Sequence, residues 1–217
     1  WDKDYVPVLN AVHTNHEKRE ETIRAFYEIS EHLEEKLTKV FGKSVDADIV
    51  LYIGLCNGAG WVTKIQERTT VLLGIEKIIE LDWCRKDDMI GLIIHELGHV
   101  YQSQYGSLSY QENSMAEKFL WQLFTEGVAM AFEQEIVGDA EYYHQNKNGW
   151  KEWCDRNYEL LKSSFCRDMT MMTQENQRYF GDWVRFKGHS DVGYYLGARF
   201  VRYLIKNDCL QRCTKGT

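Results

Sequence analysis

Proline is nearly missing from this chain. Pro7 is the only one in 217 residues, where ordinary usage of about 5% would supply roughly ten. So few helix breakers exclude a loop-rich architecture of short strands and suit long helices. Cysteine is sparse too: six in a chain of this length cannot build the dense disulfide scaffold of small secreted domains. No apolar run approaches the ~18 residues needed to cross a bilayer, so no membrane span or membrane partner is expected. Positive charge is in deficit, with 26 Lys+Arg against 33 Asp+Glu and a net charge of −7. That balance argues against a binder of the nucleic-acid phosphate backbone. A Gly-rich phosphate loop and a G-x-S-x-G elbow are both lacking, which removes phosphoryl transfer and serine hydrolysis from consideration. No basic segment leads into an apolar run at the start, so no signal peptide is expected in these residues. A cytoplasmic location is expected, or a secreted one if a leader was removed before Trp1.

What remains describes a globular chain. It is 44% hydrophobic and 27% charged, enough apolar material for one large domain or two intimate lobes. Residues 14–41 read as one amphipathic helix. Thr14 and Glu17 make a capping-box pattern, Ile23, Phe26, Tyr27, Leu33, Leu37, Val40 and Phe41 recur at helical spacing, and Gly42 stops it. Residues 46–55 read as a strand, Asn57-Gly58-Ala59-Gly60 as a turn, and 61–67 and 69–75 as two more strands. From there helices are expected over 87–105, 113–136, 148–166 and 190–207, with irregular ground near 167–189. The order predicts an α+β fold. An α/β lobe (1–105) of N-terminal helix and small mixed sheet precedes a mainly helical lobe (106–217), with the active-site cleft expected between them.

Chemistry concentrates in Ile94-His95-Glu96-Leu97-Gly98-His99, which contains HExxH. On a helix His95 and His99 lie one turn apart on one face and reach a common metal ion. Glu96 sits about 100° round, beside the ion, where a general base for water belongs. A shuffled sequence of this composition would hold the motif about one time in fifty, so its surroundings matter. Met89, Ile90, Leu92, Ile93, Ile94, Leu97 and Val100 make the helix apolar on nearly every side. Burying two imidazoles and a carboxylate there costs several kcal/mol without partners, and a metal removes that cost. The bland alternative is a pair of satisfied core histidines with a buried salt bridge. Asp87 and Asp88 suit the helix start.

A hydrolytic zinc wants three protein ligands and an open position. The next helix and its start offer Glu112, Glu117, Glu126, Glu133 and Glu135. Glu117 and Glu126 are nine residues apart, about 900° of rotation, so they face opposite ways. Glu126 lies in Thr125-Glu126-Gly127-Val128-Ala129-Met130-Ala131, where Gly127, Ala129 and Ala131 would let this helix approach the His95/His99 helix closely. Glu117 has bulky neighbours and reads as a surface or ion-paired residue. Glu126 is therefore the favoured third ligand.

HELGH followed about 26 residues later by TEGVA resembles the gluzincin metallopeptidases, the thermolysin-like superfamily. The resemblance implies one Zn²⁺ per chain held by His95, His99 and Glu126, Glu96 as general base, a peptide or protein substrate, and a mixed sheet whose edge strand, here from roughly 59–76, lines the substrate site. It also implies a Tyr or His from the helical part as oxyanion donor. A Gly-Tyr-x-x-Gly helix opening, Gly193-Tyr194-Tyr195-Leu196-Gly197, resembles the corresponding end of small metallopeptidases, with Tyr194 first and His189 and Tyr195 behind it. One departure stands out. Thermolysin-type enzymes often carry an acidic residue one turn after the zinc glutamate to brace a ligand histidine; that position is Met130, and Glu133 is the substitute in nearly the same phase. The departure keeps open a different class, a non-catalytic zinc-binding protein with a metalloprotease-like fold. Arg199 reads as an ion-pair residue before a carboxylate binder. His13, His16, His32 and His144 lack paired spacing and are expected at the surface, as is the run Glu31, Glu34, Glu35. Trp121, Trp150, Trp153 and Trp183 are expected to pack the core. Cys209 and Cys213, four apart, read as free thiols or a disulfide before a metal pair.

Overall fold

The computed structural model describes residue 3 and residues 5–55 and 58–207. Within these the chain is mixed α/β, with nine helices and one three-stranded sheet. It divides into two compact units, residues 1–100 and 101–217. No helix among the described residues is long and apolar enough to cross a membrane.

The first unit opens with α1 (Tyr5–Thr14), α2 (His16–Ser30) and α3 (Leu33–Phe41). Pro7 falls in the first turn of α1, where its missing N–H breaks no helical bond. The expected single helix over 14–41 is corrected here. Thr14 does not cap a helix start; its hydroxyl donates back to the Asn10 carbonyl at 2.8 Å, inside α1. Asn15 then donates its side-chain amide to Ala11 O at 2.7 Å, and α2 begins after it. A second break falls after Ser30, whose hydroxyl donates to the Phe26 carbonyl at 2.8 Å. Short polar side chains that bond their own backbone compete with helix continuation. Gly42 does end α3, in the left-handed region at φ 65°, with its N–H on Thr38 O.

The sheet has order β1-β3-β2, where β1 is Asp48–Tyr52, β2 Gly60–Ile65 and β3 Arg68–Gly74. β1 runs parallel to β3 with Asp48 opposite Thr70, and β2 runs antiparallel with Gly60 opposite Leu73. Two expectations change. The second strand stops at Ile65, because Gln66 and Glu67 form a tight turn with φ 48° and 64°. The third strand is the central one, so of the stretch 59–76 only β2 is an edge. Ile75 already belongs to α4 (Ile75–Glu80), and α5 (Lys86–Tyr105) follows, continuing past Val100 into the second unit.

That second unit holds α6 (Met115–Val137), α7 (Trp150–Arg156), α8 (Tyr158–Asp168) and α9 (Val192–Lys206). The helix expected over 148–166 is interrupted at Asn157, whose side-chain amide donates to Trp153 O at 2.8 Å. The core gathers Phe119, Leu123, Met130, Leu161, Phe165 and Tyr179. α6 and α9 cross closely because Gly127 and Gly197 face each other. A Cβ on Gly127 would overlap the Gly197 carbonyl, and one on Gly197 would lie 2.6 Å from Leu123 O. Of the tryptophans, Trp150 is buried and Trp121 and Trp153 half-buried, but Trp183 is 74% exposed, which corrects its assignment to the core. Cys84 and Cys154 are buried free thiols; Cys209 and Cys213 lie outside the described residues.

Candidate metal centre

α5 starts on its own charges. Asp88 pairs with Arg85 at 3.2 Å, and the Met89 N–H reaches Arg85 O. Met89, Leu92, Ile93, Ile94, Leu97 and Val100 are all buried, so the helix is sunk in apolar surroundings. His95 and Glu96 are buried with it, and His99 is half-buried. The two imidazole centroids lie 5.0 Å apart and nearly perpendicular, as i and i+4 rings do on one helix face.

Glu96 meets the sheet. The first residue of β2 lies directly against it: a Cβ added to Gly60 would sit 2.8 Å from Glu96 Cγ and Oε1 and 3.0 Å from Cδ. The glutamate of HExxH is thus packed under the start of an edge strand.

α6 sorts the candidate glutamates. Ser114 caps the helix, its hydroxyl accepting the Glu117 N–H at 3.2 Å. Glu117 reaches back to accept the Asn113 N–H at 2.7 Å. Glu117 is therefore part of a helix cap. Glu126 is half-buried. One ligand atom each from His95, His99 and Glu126 lie within 4.8 Å of one another. Bonds of about 2.0–2.2 Å to a tetrahedral ion place donor atoms roughly 3.4 Å apart, so side-chain adjustments of about an ångström close the set. The donors fit: two imidazole nitrogens and one carboxylate oxygen suit zinc, whereas magnesium and calcium prefer oxygen throughout.

One of the small residues beside Glu126 faces a different helix from the one expected. Gly127 admits α9. This crossing sets α9 beside α6 at the residue after Glu126. Glu133, offered as a substitute brace, takes the backbone N–H of His144 at 3.2 Å and its Nδ1 at 2.9 Å. Both residues are buried, which corrects the surface assignment of His144; its flanking aromatics, Tyr142 and Tyr143, were the available signal. Met130, one turn after Glu126, is fully buried, with the Gln145 amide 3.8 Å from its sulfur. His13, His16 and His32 are exposed, as are Glu31, Glu34 and Glu35.

α9 separates the oxyanion candidates. Tyr194, half-buried in the first turn, packs edge-on to Phe180 at 6.0 Å. Tyr195 is fully buried, and its hydroxyl donates to Asp155 at 2.6 Å. Burial and that bond push its phenol up to about 12, so Tyr195 is committed to the core. Arg199 joins the same network, with ion pairs to Asp155 and Glu141. His189 stacks on Trp153 at 4.0 Å, and burial, aided by Arg185, lowers its pKa.

No protein-family model matches the chain, and no curated protein or solved structure matches it either. The likeness to gluzincins rests on the motif residues alone.

Proposed function

We propose that this chain is a zinc-dependent peptidase, with His95, His99 and Glu126 as metal ligands and Glu96 as general base. The observation that carries this reading is the grouping of the three donor atoms within 4.8 Å. Three protein ligands leave the fourth position of a tetrahedral site for water or substrate. Bound there, Zn²⁺ would polarise the scissile carbonyl and lower the pKa of a water toward about 7.

The chain's own residues do the rest. Glu96 follows His95 by one residue, so its carboxylate stands beside the metal position, where it takes a proton from water and delivers it to the leaving amine. β2 lies at the sheet edge with its first residue on Glu96, and its outward N–H and C=O groups suit an extended peptide. Tyr194 is kept as the O–H donor to the oxyanion ahead of His189, which stacks on Trp153, and of Tyr195, whose hydroxyl is spent on Asp155.

Glu96→Gln tests the base. Chelator-sensitive cleavage of a peptide library should fall about 10²–10⁴-fold in this variant, while zinc stays near one per chain. Full activity in Glu96→Gln sinks the assignment. The fully buried Met130, in place of a bracing carboxylate, favours a second reading, a zinc-binding protein without turnover. Stoichiometric zinc with no cleavage of any peptide in the wild type would select it.

A further inference from the structure

Gly60 is in an unusual place for glycine. It sits within an antiparallel ladder, opposite Leu73, and the ladder continues beyond it through the Gly74 N–H on Ala59 O at 3.0 Å. Its φ is not among the positive values, so no left-handed conformation demands glycine there. A strand glycine without such a need marks a close approach by another group. Here that group is Glu96, and all three atoms an added Cβ would strike belong to its side chain.

From this we infer that Gly60 is a positioning residue for Glu96. The inference deepens the peptidase reading and rests on it. The strand backbone is held by β3 on one side, and α5 is fixed by a buried apolar surface, so neither gives way easily. What can move is the Glu96 side chain as a whole, through χ1, since its Cγ meets the new methyl as closely as Oε1 does. An alanine at position 60 is therefore cheap for the fold and costly for the base. Relief to ordinary van der Waals contact at 3.4 Å, from the 2.8 Å an unmoved side chain would leave, requires Cγ and the carboxylate together to move by about 0.6 Å, by rotation about χ1. Displacements approaching 1 Å at a reacting group cost about 10²-fold in rate.

The test is Gly60→Ala, read in two ways. A crystal structure of the metal-free variant reports the Glu96 carboxylate directly; a shift of at least about 0.6 Å is expected, set by the same contact distances. With zinc, kcat should fall roughly 10–10²-fold with KM within about threefold, zinc stoichiometry unchanged and Tm within a few degrees. A fall in kcat at an unchanged KM is a change that a merely structural glycine would not produce. An unmoved Glu96, or a moved Glu96 with wild-type kcat, overturns the inference. A wild-type protein that cleaves nothing brings down the peptidase reading and with it the catalytic half of this one. The metal-free structure still decides whether Gly60 sets the position of Glu96.

Discussion

Asp191→Asn should stabilise the protein near neutral pH. Asp191 precedes α9 at φ 59°, in the left-handed region, its side chain makes no capping bond to the helix, and it is only 9% exposed. Burial raises its pKa, and nearby Asp182 raises it further. His144 and hydrogen bonds from Ser190 and the Gly181 backbone oppose the rise, and the outcome is about 6 against an ordinary 3.8. The folded state thus holds the proton more tightly than the unfolded chain. Its contribution to stability is complete below pH 3.8 and is lost as pH rises through about 6. The gap corresponds to about 3 kcal/mol once both states are ionised. Asparagine carries no charge to desolvate and tolerates the left-handed region. It weakens one accepted hydrogen bond, at about 1 kcal/mol, which leaves a net gain of about 1–2 kcal/mol. For a chain of this size that is a Tm increase of about 2–8 °C. Thermal or urea unfolding of both proteins from pH 4 to pH 7.5 checks it. The advantage of the variant should be absent at pH 4 and open between about pH 4 and 6.5. A difference that is flat across this range, or a less stable variant at pH 7.5, refutes the reasoning.

Gly127→Ala should cost about 3 kcal/mol or more, because the new methyl meets the backbone of Gly197 and cannot be relieved by a side-chain rotation; calorimetry should show Tm lower by about 6–12 °C. Zinc added to metal-free protein at about 1,000 times its Kd should stabilise it by ~4 kcal/mol. His95→Ala should abolish that shift in a thermal melt, and a shift that survives the substitution would remove His95 from the ligand set.

How legible all this was in the sequence depends on whether local geometry or tertiary contact decides the feature. The buried helix carrying His95, Glu96 and His99 could be read because the helical period puts i and i+4 on one face in any fold, and its apolar run predicts burial. Small residues beside Glu126 announced a close helix crossing, but a sequence does not say which helix comes near, and Gly127 turned out to face Gly197. Breaks at Asn15 and Asn157 were missed because hydrophobic spacing runs straight through them; a single side-chain bond to the previous turn decides each. The turn at Gln66-Glu67 had no sequence signal, since neither residue type favours positive φ. Burial of His144 had one local signal, the aromatics Tyr142 and Tyr143 before it, but its partner Glu133 lies eleven residues back on α6 and looked available for another role.

Contact between the α6 and α9 backbones also bears on motion. Helices separated by side chains slide and tilt by letting those side chains change rotamer. Where Gly127 meets Gly197 there is nothing to re-pack. Fluctuations of Glu126 and of the first turn of α9, three residues before Gly197, should therefore be correlated. Any breathing of the second unit carries Glu126 and Tyr194 together, as points on one stiff frame.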